Sequence, residues 1–363
     1  MRGSSLKAEE IERVVVRGTN WVGDAVMTIP ALRELRRILP HAHITLATRS
    51  WSRGLFSEAE FIDEILIYDR AEKPLRAAFG QAREWRRRRF ELAILFQNAF
   101  EAALIAALAR VPARLGYCTD GRRALLTHPL ALPDWHQQRH EVFYYLNIVA
   151  RLEELLDGSS RILESEPAFA LRVSQERQAH ARQLLAEHGA MGAGRPLIAL
   201  CPGSTNSRAK RWPAASYAAL ADRLIEEMRA DVCLIGAPDE LEVSLEVVAR
   251  MKRAPVMLTG RTNLDQAVAL LSITDLLITN DTGPAHIASA LERPTLVIFG
   301  PTDPATTRPF SASAEIIRRP PDCAPCMLRD CPIDHRCMTA ISPDEVLKRA
   351  VALMKRAPLE VGA

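Results

Sequence analysis

Three stretches of this sequence bring together side chains suited to moving a group between oxygen atoms. The first is Arg17-Gly18-Thr19-Asn20-Trp21-Val22-Gly23-Asp24, where two glycines permit a tight loop and Asp24 falls where a helix begins. An aspartate there reads plainly as an N-cap for orphan amides. It reads equally as a carboxylate that takes a proton from a bound hydroxyl. The second stretch runs from Pro202-Gly203-Ser204-Thr205 to Ala209-Lys210-Arg211-Trp212-Pro213. Small hydroxyl residues followed by clustered cations suit the oxygens of a phosphate or diphosphate, although Lys210 and Arg211 could simply project into water. The third ends a buried run in Thr279-Asn280-Asp281-Thr282-Gly283-Pro284-Ala285-His286. Proline at a helix start leaves the Thr282–Gly283 amides at a positive helix end, a ready anion site. His286 falls in the first turn of that helix, as a structural histidine or as a partner of the anion.

A fourth group is Cys323-x2-Cys326-x4-Cys331-x5-Cys337 with His335 beside it, compact enough for a structural zinc or iron–sulfur centre. Its spacing differs from the paired C-x2-C of a zinc ribbon, and reduced thiols or a disulfide remain the plain readings. Neither G-x-G-x-x-G nor the P-loop G-x-x-x-x-G-K-[ST] occurs at these loops, which argues against a dinucleotide enzyme and a nucleoside triphosphatase.

The elements that must position these residues follow a βα alternation. Strands are expected at Val14–Val16, Ile44–Thr48, Ile65–Tyr68 and Leu92–Phe96, with helical patterns between them. The pattern restarts at Leu197–Leu200 and continues through Val232–Ile235, Val256–Leu258, Leu276–Thr279 and Leu296–Phe299. The helix Gln175–His188 and the segment Gly189–Gly194 lie between the halves and mark a domain boundary. Ser342-Pro343-Asp344-Glu345 starts a last helix. Open parallel sheets bind ligands at the carboxyl ends of their strands, where all three stretches fall.

The chain has 363 residues, 47 Lys+Arg against 44 Asp+Glu, 48% hydrophobic and 25% charged residues. At about 150 residues per domain this predicts two globular domains. A net charge of +3 argues against a dedicated nucleic-acid binder. No uncharged apolar run is long enough for a transmembrane segment. The polar stretch Met1 to Glu12 lacks the apolar core of a secretory signal, so a cytoplasmic protein is expected. Between residues 74 and 123 ten arginines face four acids. Arg86–Arg89 form either a solvated helix face or a surface that docks on anionic lipid without insertion.

At the three motifs the chain resembles the bacterial lipopolysaccharide heptosyltransferases, a family of GT-B glycosyltransferases (glycosyltransferase family 9). Asn20–Met27, Cys201–Gly203 with Ala209–Pro213, and Thr279–His286 carry the resemblance, and Gly260-Arg261-Thr262-Asn263-Leu264 resembles a further family pattern. The Trp-Val-Gly-Asp and Ala-Lys-Arg-Trp-Pro forms look more like type II than type I.

This resemblance implies an α/β chain with two Rossmann-like domains facing across a cleft. An acceptor-binding domain would span 1–175 and a nucleotide-sugar donor domain 190–340, with a C-terminal helix in 341–363 that could pack back on the first. It implies ADP-heptose as donor, an anionic lipid A inner-core acceptor at the cytosolic membrane face, inversion at the anomeric carbon, and no cofactor for catalysis. Asp24 would be the general base and Lys210 would neutralise the departing diphosphate. Ser204, Thr205, Thr282 and Gly283 would assist, Asp281 and His286 would complete the donor site, and Glu240 would meet the nucleoside. Trp21, Arg114 and Arg122 are the acceptor candidates. A type I enzyme, acting on Kdo-lipid A, is the nearest rival; a sugar-nucleotide epimerase and a non-catalytic nucleotide-sugar binder are rivals of other kinds.

Overall fold

A computed structural model describes residues 6–69, 72, 74–192 and 194–356. Residues 1–5 of the polar N-terminal stretch, Ala193 of the expected boundary and the tail after 356 lie outside the described residues. The chain divides into two compact units, Met1–Phe169 and Ala170–Ala363. The helix over Gln175–Glu187 and the Gly/Ala segment therefore fall inside the second unit, several residues after the division.

In the first unit the order is β1 (Arg13–Arg17), α1 (Val22–Met27), α2 (Ile29–Ile38), β2 (His43–Thr48), α3 (Arg53–Phe56), β3 (Glu64–Ile67), α4 (Pro74–Arg88), β4 (Leu92–Leu95), α5 (Phe100–Leu108), β5 (Ala113–Tyr117), β6 (His128–Leu130) and α6 (Glu141–Asp157). The second unit runs α7 (Gln175–Glu187), β7 (Leu197–Cys201), α8 (Ala214–Met228), β8 (Asp231–Leu234), α9 (Leu241–Val248), β9 (Val256–Met257), α10 (Leu264–Ser272), β10 (Leu276–Asn280), α11 (Gly283–Ala290), β11 (Thr295–Phe299), α12 (Pro304–Thr307), β12 (Ala314–Arg318), α13 (Arg336–Thr339) and α14 (Pro343–Arg356).

Each unit holds one six-stranded sheet, ordered β3-β2-β1-β4-β5-β6 in the first and β9-β8-β7-β10-β11-β12 in the second. All pairings are parallel; Val15 sits between Thr45 and Ala93, and Ile278 between Leu200 and Leu296. Helices cover parallel sheets on both faces, so their strands read as continuous apolar runs. Val14, Val15 and Val16, like Leu276, Leu277 and Ile278, are wholly buried. The strand order is that of the doubly wound fold, in which the chain reverses direction across the sheet between its first and fourth strands. That switch point lies between β1 and β4 in one unit and between β7 and β10 in the other. The three chemical stretches leave β1, β7 and β10 at their carboxyl ends.

Strands β5, β6 and β12 had no sequence expectation. β5 carries Arg114 and Gly116, β6 is three residues long with Pro129, and β12 is only half-buried. β6 and β12 are edge strands, where a proline and weak apolar patterning are tolerated. The last helix belongs to the second unit's hydrophobic core. It lays Val346, Leu347, Ala350 and Leu353 into the second unit's own core, with Trp212, Tyr217 and Leu220.

Candidate active site

Arg17, at the end of β1, is only 1% exposed. Its guanidinium donates to Gln97 Oε1 at 3.1 Å and Gln81 Oε1 at 2.9 Å, and lies 3.2 Å over the Tyr68 ring. Burial draws its pKa down to about 10. Gly18 lets the chain pass close to β2, since a Cβ there would stand a tight 3.1 Å from Thr48 Oγ1. Trp21 then takes the N-cap of α1 and is itself 54% exposed. Asp24 is therefore not the cap but an acid in the first turn.

Helix α1 packs against α6, which supplies the surroundings of Asp24. Tyr145 of α6 is buried, and burial first and the Asp24 charge second hold its hydroxyl well above the usual range. Glu141, one turn earlier on α6, has its pKa pushed up to about 7, by burial first and the Asp24 charge second. Sequence reasoning found neither residue, because nothing local ties them to a loop more than a hundred positions away.

Two of the acceptor candidates have partners within the first unit. Arg122 is wholly buried, and its guanidinium donates to the Tyr117 carbonyl at 2.7 Å, to Asn98 Oδ1 at 2.9 Å and to the Gln97 carbonyl. It braces the loops after β4 and β5 from within. Arg114 donates to the carbonyls of Leu125 at 2.7 Å and Val111 at 2.5 Å. Both cations answer orphan backbone acceptors, which such groups do strongly in a low dielectric. Trp21 alone of the three is an exposed side chain beside Asp24's loop.

In the second unit Lys210 reaches the Asp281 carboxylate at 2.7 Å and the Asp281 carbonyl at 3.2 Å. Asp281 is 4% exposed and also accepts from Thr302 Oγ1 at 2.7 Å. The ammonium is thus held in place beside the start of α11, whose N-cap is Thr282 and whose first residue is Gly283. His286 is buried in the same turn. Asn280 ties the loops together. Its side chain accepts from the Trp212 amide at 3.0 Å and the Tyr217 hydroxyl at 3.1 Å, and donates to the Pro202 and Gly203 carbonyls at 2.9 and 3.1 Å. Asn280 stands inside a quoted motif, but Thr302 and the hub role of Asn280 are visible only in the fold.

Ser204 is buried, and its carbonyl accepts from Arg211 at 3.0 Å, which turns that cation back onto its own loop. Glu240 is buried against the loop after β7, where a Cβ on Gly203 would overlap its carboxyl. Burial raises its pKa, against an amide bond from Ala237 at 2.8 Å and a hydroxyl bond from Thr205. The expected donor residues thus converge at the carboxyl ends of β7, β8 and β10.

The metal expected at Cys323, Cys326, Cys331 and Cys337 is also corrected. All four are free thiols, and among the described residues no group of three or more His, Cys, Asp or Glu is arranged to hold an ion. Cys337 is turned into the core while Cys323 stands exposed. Burial and the three neighbouring cysteines push the Cys337 thiol up. The loop has a bracing role without a metal. The Arg329 carbonyl accepts from the Ala209 amide at 2.9 Å and from Ser207 Oγ at 3.1 Å, and His335 Nε2 lies 2.6 Å from the Ala209 carbonyl. It clamps the turn that carries Lys210.

The sequence pattern of glycosyltransferase family 9 (heptosyltransferase) matches residues 79–336. The chain belongs to this family. It is a glycosyltransferase, and the two doubly wound sheets are the α/β architecture expected of it. It is 31% identical to lipopolysaccharide heptosyltransferase 2 of Salmonella typhimurium, over 84% of this chain and 88% of that one. Identity to lipopolysaccharide heptosyltransferase 1 of Pseudomonas aeruginosa is 24%, over 88% and 87%. The solved ADP-heptose LPS heptosyltransferase II of E. coli superposes with a TM-score of 0.81 at 28% identity, covering 95% of this chain and 99% of that one.

Proposed function

We propose that this glycosyltransferase moves L-glycero-D-manno-heptose from ADP-heptose to the inner-core heptose of lipopolysaccharide, with inversion at the anomeric carbon. The acceptor oxygen bonds to C1 as the C1–O bond to the diphosphate breaks. The electron pair leaves with ADP, and the hydroxyl proton passes to Asp24. Lys210 faces the charge that grows on the leaving diphosphate, and the N-terminus of α11 adds its oriented amides. One observation carries the donor half of this reading: the Lys210–Asp281–Thr302 cluster holds a cation at a helix start, at the switch point of its sheet.

ADP release from ADP-heptose, measured with Kdo-lipid A, with its monoheptosyl form and with no acceptor, tests it. Release that requires the monoheptosyl form is the expected result. Release with Kdo-lipid A alone replaces the reading by a type I transferase, and release that needs no acceptor overturns transfer to the inner core.

We also place the protein in the cytoplasm, at the membrane surface. Among the described residues no helix is long and apolar enough to cross a membrane. Helix α4 buries Ala78, Ala82 and Trp85 and exposes Leu75, Phe79, Arg76, Arg83, Arg86 and Arg87. An exposed face that is both cationic and apolar suits an anionic lipid interface. The expected salt-insensitive part of that binding comes from Leu75 and Phe79, which modifies the purely electrostatic docking expected from charge alone. Cosedimentation with vesicles containing anionic lipid should fall on Arg83→Glu/Arg86→Glu and fall further on Phe79→Ser. Indifference to both changes would remove α4 from the interface.

A further inference from the structure

We propose that Gln97, in the loop that leaves β4, binds an anionic oxygen of the acceptor through its Nε2, and that Arg17 and Arg122 are positioning residues that hold this loop and lend it positive charge from the core side. The proposal rests on the reading of the first unit as the acceptor domain, with Asp24 as the base.

Gln97 stands at the switch point of the first sheet, where doubly wound folds bind their ligands. Leu95 of β4 pairs with Arg17 of β1, and the Phe96 and Gln97 amides both donate to the Arg17 carbonyl, at 3.1 and 3.4 Å. Arg17 also opens the stretch that leads to Asp24. The loops of Gln97 and Asp24 thus leave adjacent strands at one sheet edge, tied to each other through the backbone.

The two side-chain amides of the Gln97 loop are used differently. Asn98 is a strut: its Oδ1 accepts from Arg122 at 2.9 Å and its Nδ2 donates to the Tyr144 hydroxyl at 2.6 Å. Gln97 has only one end tied, its Oε1 accepting from Arg17 Nε at 3.1 Å. A guanidinium only donates, so the oxygen must be the end that faces it. Among the described residues nothing accepts from Nε2, and Gln97 is half-buried. A fixed donor is therefore left free at the sheet edge. The cation on its oxygen side polarises the amide and strengthens that donor.

The charge behind the loop has no local answer. Arg17 and Arg122 are 1% and 0% exposed. Buried charges are ordinarily paired, yet these two donate to neutral oxygens: Gln81 and Gln97 Oε1, Asn98 Oδ1, and the Gln97 and Tyr117 carbonyls. Among the described residues neither makes an ion pair, and Glu101 acts on Arg17, and Asp120 on Arg122, by charge alone. Guanidinium groups remain charged at neutral pH even where burial lowers their pKa, as it does for both. Arg49, after β2, adds a third cation, 5.0 Å from the Tyr68 ring and donating to Asn20 Oδ1 at 3.2 Å. Cations fixed at one edge without counter-charges favour a ligand that brings its own anion. Arg17 and Arg122 lack the exposed surface to touch it, so the contact falls to Gln97.

The acceptor presents anionic oxygens from two sources, Kdo carboxylates and lipid A phosphates. The test is steady-state ADP release with the monoheptosyl acceptor. Gln97→Glu keeps an oxygen for Arg17 and puts a negative charge where the donor stood. It should raise the acceptor KM about 10- to 100-fold, with the KM for ADP-heptose within about 2-fold and the urea midpoint level or higher. Arg17→Gln should raise the acceptor KM about 3- to 10-fold, and Arg17→Lys, which restores the charge, should recover part of that loss. A merely structural Arg17 would lower the urea midpoint and leave the acceptor KM unmoved. Gln97→Glu carries the test alone if the Arg17 variants do not fold.

Two modified acceptors identify the anion: one with its Kdo carboxyls reduced to alcohols, one with its lipid A phosphates removed. The one that brings the KM values of wild type and Gln97→Glu together carries the group that Gln97 binds. If neither narrows the gap, or if Gln97→Glu leaves the acceptor KM unchanged, the proposal is overturned. An inactive Asp24→Asn then leaves the base reading standing, and only this inference falls. An active Asp24→Asn removes the base reading instead. A wild type that releases no ADP with any acceptor removes the transfer reading and this inference with it.

Discussion

The surroundings of Asp24 and those of Lys210 solve opposite problems. In the second unit two buried acids of the site have their counterparts. Asp281 is answered by Lys210 and Thr302, and Glu240 by the Ala237 amide and the Thr205 hydroxyl. In the first unit Asp24 and Glu141 stand on two packed helices, and burial first and the Asp24 charge second work against the ionisation of Glu141. A site that receives an anion does best with a cation already fixed in place, so stability and function favour the same contacts there. A site that must take a proton does best when its carboxylate is held against repulsion, so function costs stability. Removing a charge should therefore have opposite effects on folding in the two places.

The largest effect is expected from Asp24→Asn. A positioned base contributes about 10²–10⁴ in rate, so kcat should fall by that factor. The same change removes one of two coupled acids, and the midpoint of urea unfolding at pH 7.5 should stay level or rise. Lost activity with a clear loss of stability would break the contrast, because Asp24 would then be a structural group.

Lys210→Met comes next. Losing a fixed cation opposite the leaving diphosphate should add about 2–4 kcal/mol to the barrier. Here folding should suffer too. Asp281 stays buried with only Thr302 and solvent to answer it, and a stranded carboxylate costs about 1–3 kcal/mol where its partner was itself part exposed. Lys210→Met/Asp281→Asn should recover much of the stability and little of the rate. If the double variant recovers both, Lys210 works through Asp281 rather than on the substrate.

These contrasts also show what could be read in the sequence. Among the described residues, nine of the twelve strands were marked by β-branched or leucine-rich runs, because buried parallel strands leave continuous apolar signals. The donor loops were legible because their residues come from three short stretches that each leave a strand. Around Asp24 the sequence was half silent. The loop could be read, but Glu141 and Tyr145 sit in an ordinary amphipathic helix whose pairing with α1 is set only by tertiary packing. Arg122 misled for a related reason: among clustered arginines, the one that turns inward to bind carbonyls is not distinguished by spacing. The four cysteines misled because spacing bounds how near thiols can come and says nothing of which one enters the core.

A smaller effect, in the first unit, has a sign that can be worked out. Glu141 has a folded pKa of about 7 against an ordinary 4.5, so the native state binds its proton more tightly than the unfolded chain does. Its contribution is complete below about pH 4.5 and is lost as pH rises through about 7. Discounted for its remaining solvent contact, this amounts to about 2 kcal/mol. Relative to the wild type, Glu141→Gln should therefore gain stability steadily between those pH values and level off above them. Urea midpoints at pH 4.5, 6 and 7.5 check it. A difference that stays constant across the three would mean that Glu141 titrates like an exposed acid.

The smallest effect is expected at the cysteine loop, the part of the donor region whose charges have least to do with the site. Its hold on the Lys210 turn runs through the Arg329 carbonyl and His335, and none of these contacts uses a thiol. Cys323→Ser and Cys326→Ser exchange one partly solvated small polar group for another, so each should change stability by less than about 0.5 kcal/mol. Treatment with a chelator should likewise leave the transfer rate unchanged. His335→Ala removes a contact at 2.6 Å to the Ala209 carbonyl and loosens the turn, so it should raise the KM for ADP-heptose about 2- to 5-fold with kcat nearly constant. The order of these outcomes is the decisive feature. If the cysteine variants weaken donor binding more than His335→Ala does, the loop is organised around its thiols, and the clamp is secondary to them.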